Sequence, residues 1–265
     1  MKYYLKLSFT FLLAFVFMTS CSDSSSNDEV LEEVVDDVTD DDATNDDDID
    51  ITGLLALFDG TGLSYEISGE YVIFITIDVP NHGSPYWDQS NELFEAYNGT
   101  NADFNLNPNS IEEQNIVFTI PLKPVAADTN EPTRLGPIGI SRNGVVFFNQ
   151  YAGPNNQPLT AEVNSFDQGA GHPTGTDTYH YHVEPLFLTT TFGSDAFLGL
   201  LADGFPVYGP VENNQAVTND DLDDFHGHTN ATAEFPNGIY HYHITDADPY
   251  LNGNGYYGTP GNISQ

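Results

Sequence analysis

The word Tyr179-His180-Tyr181-His182-Val183 returns downstream as Tyr240-His241-Tyr242-His243-Ile244. Both copies alternate with period two, and that spacing fits a strand and not a helix. On a strand the two tyrosines of each word face one side and the two histidines the other. Each word is preceded by a Gly-His pair, Gly171-His172 and Gly227-His228, and each pair by an acid, Asp167 in the first copy and Asp223 or Asp224 in the second. One reading is an internal duplication whose tyrosines pack a core and whose histidines only make hydrogen bonds. The other is a metal centre.

The metal reading rests on reach. Two histidines at i and i+2 of a strand stand roughly 6–7 Å apart at Cβ, and imidazole arms can close that gap onto one ion at about 2.0–2.1 Å. His180, His182, His241 and His243 are therefore the expected ligands, with His172, His228 and Asp167 as additional or supporting partners. If the two words lie on neighbouring strands, they can share one site; if not, separate sites follow. The Gly-His elements stand at unequal distances from their words and are read as loops. His226 and His228 form a further His-x-His, read as a loop pair, and His82 is expected at the surface.

The rest of the chain supports a β framework. Tyr71 to Val79 is rich in β-branched and aromatic residues and is stopped by Pro80, and 115–122 repeats the pattern up to Pro124. Asn143-Gly144 is the preferred pair for a tight hairpin turn between Ile138–Ser141 and Val145–Phe148. Shorter strands are expected at 197–202 and 205–208, broken by Asp203-Gly204. Only 90–97 suggests a helical turn. The expectation is a mainly β, single layered domain over residues 51–265, sandwich-like with long loops.

Forty acidic against five basic residues give a formal charge of −35. Nothing in such a chain can neutralise phosphates, which excludes nucleic acid as a partner. The one cysteine, Cys21, excludes an internal disulfide and a thiolate cluster. Lys2 and Lys6 precede an apolar run too short to span a bilayer, and the run ends in Met18-Thr19-Ser20-Cys21. This resembles a bacterial lipoprotein signal with Met18 in the place of the usual leucine. It makes 1–20 a signal peptide and Cys21 the lipidated mature N-terminus, the alternative being a conventional cleaved signal. Residues 21–50 follow as a linker with fourteen acids and no Lys or Arg, a composition that self-repels and stays extended. Membrane attachment through a lipid, at the outer membrane and facing either side of it, is the expectation.

Beyond the words themselves, the chain resembles the YHYH-domain family of secreted and envelope proteins. The resemblance is carried by the two Tyr-His-Tyr-His words, Asp203-Gly204-Phe205-Pro206-Val207-Tyr208-Gly209-Pro210, the Asn-Gly-Val-Val-Phe-Phe-Asn stretch at 143–149, Phe166-Asp167, Gly171-His172 and Gly258-Thr259-Pro260. Relatives often carry cysteines near the Gly-His elements; this chain has none there. The resemblance implies the extent of the domain and the place of its site, and leaves activity open. Two functions follow from the residues. The first is an envelope metal protein or metalloenzyme holding zinc, copper, iron or manganese through imidazole and carboxylate. The second is a non-catalytic surface lipoprotein that binds glycans, peptides, small molecules or envelope partners through its aromatic residues. No nucleophile elbow or phosphate loop is present.

Overall fold

Alternation along Tyr71–Thr76 buries Val72, Phe74 and Thr76, and alternation along Ile116–Pro121 buries Ile116, Phe118 and Ile120. These two strands pair antiparallel with Phe74 opposite Phe118, so both buried rows fall on one face of a sheet. In the computed structural model, which describes residues 49–265, this is the centre of a four-stranded sheet. The expected signal segment, Cys21 and nearly all of the acidic linker lie outside the described residues.

In chain order the strands are β1 (Ser64–Ser68), β2 (Tyr71–Thr76), β3 (Ile116–Pro121), β4 (Pro137–Ser141), β5 (Val146–Phe148), β6 (Tyr151–Ala152), β7 (Gln157–Pro158) and β8 (Gly171–Pro173). They continue as β9 (Tyr179–Tyr181), β10 (Phe197–Leu201), β11 (Pro206–Tyr208), β12 (Val211–Glu212), β13 (Gln215–Ala216), β14 (Gly227–Asn230), β15 (Ile239–His243) and β16 (Asn262–Ser264). The first sheet runs β1-β2-β3-β16 and the second β14-β15-β11-β10-β4-β5-β9-β8, with β6-β7 and β12-β13 as separate two-stranded ribbons. The fold is mainly β, as the sequence predicts. Ring contacts from Phe58 to Phe74 at 4.6 Å and to Phe197 at 5.7 Å join the two sheets in one hydrophobic core.

The eight-stranded sheet reads the same from either edge. At its centre β4 and β10 pair antiparallel. Outward on each side comes an antiparallel partner with a register shift, β5 and β11, then a parallel strand, β9 and β15, then an antiparallel edge strand, β8 and β14. The registers agree as well. His172 lies opposite His180 as His228 lies opposite His241, and Gly171 opposite Tyr181 as Gly227 opposite Tyr242. The turns that start each half are built alike on Asn143-Gly144 and Asp203-Gly204, with both glycines at φ +88°. A Cβ on Gly204 would stand 2.7 Å from the Pro121 carbonyl oxygen, so both space and backbone demand glycine there.

Two expectations fail for local reasons. Residues 90–97 are turns and not helix, because Asp88 Oδ1 accepts the Ser90 N–H and Asn91 Oδ1 accepts the Leu93 N–H. Such side-chain bonds to nearby backbone compete with helical ones. The one α-helix among the described residues is α1 (Leu186–Phe192). The Gly-His elements, read as loops, are the edge strands β8 and β14.

Candidate metal centres

The two words sit on β9 and β15, with β5, β4, β10 and β11 between them. Five strand spacings of about 4.8 Å put the words roughly 24 Å apart. A site shared between them is therefore overturned. Each word instead pairs with its own Gly-His strand, and each hairpin gathers three histidines and a glutamate: Glu162, His172, His180 and His182 in the first, Glu212, His228, His241 and His243 in the second. Within each group the ligand atoms lie within 4.8 Å of one another, an arrangement that can hold a metal ion.

Backbone and serine oxygens fix the tautomers of the first group. His180 Nδ1 is 3.1 Å from the Thr178 carbonyl, and His182 Nδ1 meets the Asn149 carbonyl. A carbonyl only accepts, so both Nδ1 atoms carry the proton. Ser165 Oγ donates to the Glu162 carbonyl at 2.7 Å, which leaves it to accept from His172 Nδ1 at 2.8 Å. All three Nε2 atoms are thereby bare. They face one another, His172 to His180 at 3.1 Å and His180 to His182 at 2.9 Å, with Glu162 Oε1 3.2 Å from His172 Nε2. Tetrahedral ligands at 2.0–2.1 Å from an ion stand about 3.3 Å apart, so the spacing fits a common centre.

The second group repeats the arrangement with a different carboxylate. His241 Nδ1 donates to the Ile239 carbonyl at 2.9 Å and His243 Nδ1 to the Gly209 carbonyl at 2.7 Å. Their Nε2 atoms lie 3.1 Å apart. Glu212 Oε1 is 3.4 Å from His241 Nε2 and 3.5 Å from His228 Nε2. Both Glu212 Oε1 and His228 Nε2 are buried without a hydrogen-bond partner.

Burial favours the neutral form of the four histidines in the two words. It drives His180 well below the ordinary histidine value, His182 and His243 down to about 4, and His241 down as well. Neutral imidazole and ionised carboxylate are the forms that ligate a metal.

The remaining candidates lie elsewhere. Asp167 belongs to neither group; its carboxylate accepts from Tyr179 Oη, from the Ser84 hydroxyl and from the Gly169 N–H. Asp223 does the same for Tyr240 and Phe225. The acid at a constant five residues before each Gly-His histidine thus anchors the tyrosine face. His226 does not pair with His228: it sits at φ +75° ahead of β14, and its ring bonds the His243 carbonyl and Asn219. His82, expected at the surface, is buried against Tyr181 Oη at 3.1 Å. The tyrosine hydroxyls are held chiefly by side chains: Tyr179, Tyr240 and Tyr242 donate to carboxylates, and Tyr181 meets Asn143 and His82.

Glu162 and Glu212 escaped the sequence reading because they are not equivalent in the two halves. Glu162 lies on a 3-10 turn (Glu162–Ser165) ten residues before His172, Glu212 on β12 sixteen residues before His228. No common spacing marks them. Each group borders a cavity. The first, of about 440 Å³, has Phe148, Leu135, Tyr151 and Asn107 among its walls. The second, of about 370 Å³, is faced by Asp195, Asn213, Asn214 and Thr232.

A duplicated β-domain in which each half carries its own three-histidine, one-glutamate cluster is the class of protein that fold and site define. The family described as YHYH protein matches residues 117–219 and 211–255, over half of the chain, and the chain belongs to that family. No curated protein and no solved structure matches it.

Proposed function

We propose that this chain is a metal-binding protein of the cell envelope with two independent centres, one per half. Each would hold a divalent transition metal through three neutral imidazoles and one carboxylate. One observation carries the reading: in the first group three bare Nε2 lone pairs and a carboxylate oxygen face one another with no hydrogen-bond donor among them. Four acceptors in contact repel unless a cation lies between them. Burial disfavours a proton in that place, and a metal ion fits. Imidazole and carboxylate without thiolate suit zinc, copper, iron or manganese. The Nδ1 bonds to carbonyls are the supports that orient metal-bound histidines elsewhere.

The cavities beside both groups leave room for a further molecule to reach the metal, which is compatible with an enzyme as well as with storage or sensing. Lipidation at Cys21 would place the domain at the outer membrane, held off its surface by the acidic segment. Among the described residues no helix is long and apolar enough to cross a membrane.

The test is elemental analysis of the full-length chain, purified without an affinity tag and then reconstituted with each candidate metal. Two equivalents of one metal per chain are expected. A chain that carries no stoichiometric zinc, copper, iron or manganese and takes up none would end the proposal.

A further inference from the structure

Between β2 and β3 the chain makes a 39-residue excursion, residues 77–115, whose only ladder contact is the isolated bridge Ser84–Phe94. Loops of this length without regular structure are uncommon in compact domains and are usually functional. It lies ahead of the first family-matched residue, 117. It packs on one half only. Tyr86 Oη donates to the Ser165 carbonyl at 2.6 Å, Asn107 and Asn109 donate to the Pro173 carbonyl, and the Ser110 N–H donates to Asp177. Every one of these anchors lies on the 165–177 segment that carries His172.

The excursion encloses an open cleft of about 560 Å³, with Trp87, Phe94, Tyr97, Phe104 and Leu106 on its walls. Asp88, Gln89, Asn109, Ser110 and Glu112 supply its polar groups. Asn109 also lines the cavity of the first metal centre, so the two spaces adjoin.

We propose that this cleft binds a neutral saccharide chain and leads it past Asn109 toward the first centre. Four features select that ligand. No lysine or arginine lines the cleft while Asp88 and Glu112 do, which disfavours anionic polymers. Tyr97 and Phe104 stack on each other with centroids 3.7 Å apart and planes 3° apart. They form a flat platform and leave no gap of the kind an aromatic cage needs around a quaternary ammonium. The excursion offers no free strand edge onto which a peptide could add. Aromatic faces for sugar C–H groups, flanked by carboxylates and amides for hydroxyls, are what remain.

Trp87 is the chain's sole tryptophan and reports on the cleft directly. The full-length chain, stripped of metal, is titrated with the hexaoses of glucose in β-1,4 and α-1,4 linkage, of N-acetylglucosamine, of xylose and of mannose. A saturable change in Trp87 fluorescence with at least one of them is expected. Tyr97→Ala should weaken it about tenfold. Leu106→Asp, at an exposed position that folding tolerates, serves equally if Tyr97→Ala does not fold. No saturable change with any hexaose at millimolar concentration overturns the proposal, as does a response to choline or a lysine-rich peptide alone. Full affinity in a folded variant overturns it too. Binding seen only with metal present places the sugar on the metal and overturns the cleft, whereas sugar binding by a chain that takes up no metal leaves this proposal standing alone.

Discussion

The phenol of Tyr179 lies 2.9 Å from both carboxylate oxygens of Asp167, and Tyr240 holds Asp223 in the same way at 2.9 and 3.1 Å. In each half the acid also caps the turn into the Gly-His strand through backbone N–H groups. The tyrosine face of each word is therefore a structural clamp, while its opposite face carries the imidazoles. Tyr179→Phe leaves a buried carboxylate one donor short and should cost about 1–3 kcal/mol of stability. Its metal content should stay at two equivalents. Denaturant unfolding beside elemental analysis checks both, and loss of one equivalent in the folded variant would mean that the clamp and the centre are one unit.

Separation of the centres predicts independence. Replacing His180 and His182 with phenylalanine should remove one equivalent of metal and leave the other, and the His241/His243 pair should behave the same way. Sites this far apart with no shared residue are expected to add. A double variant in one half that empties both halves would contradict two separate sites.

The glutamates separate the structural reading from one based on histidines alone. Glu162→Gln and Glu212→Gln keep shape but remove charge, and each should weaken its own centre by about 10- to 100-fold or more. Competition with a chelator of known affinity measures this. Unchanged affinity in both variants would confine the donor set to imidazoles.

Asp203 offers a pH test away from either centre. It is wholly buried, accepts from Tyr242 Oη at 2.6 Å and from the Gly258 N–H at 2.9 Å, and burial pushes its carboxyl up to about 6. Below the unfolded value of about 3.9 both states hold the proton. As pH rises the unfolded chain ionises first, so the contribution of Asp203 to stability declines until pH passes about 6. Asp203→Asn mimics the protonated form. The stability of the natural chain relative to that variant should therefore fall by roughly 3 kcal/mol across this window and then level off. A difference independent of pH would show that Asp203 titrates alike in the folded and unfolded chain.

Anchoring has its own test. Cys21→Ser should move the protein from the membrane fraction to the soluble one, and unchanged fractionation would count against lipidation.

Period two is a local property, and the sequence displayed it openly. It set the Tyr-His words on strands with histidines on one side, placed the Asn143-Gly144 hairpin, and identified six histidines that the structure gathers into the two groups. Where side chains compete with backbone over a few residues, as at Asp88 and Asn91, the helical reading failed although the signal was local too. The order of strands in the sheet is not local. Only tertiary structure put four strands between the words and so decided for two separate clusters over a shared one. Only the closing of the 77–115 excursion buried His82, and only the backbone reversal at His226 turned that ring away from His228. Glu162 and Glu212 reach their imidazoles from unrelated positions in the chain, because a donor set constrains where atoms meet in space and not how far apart they stand in sequence.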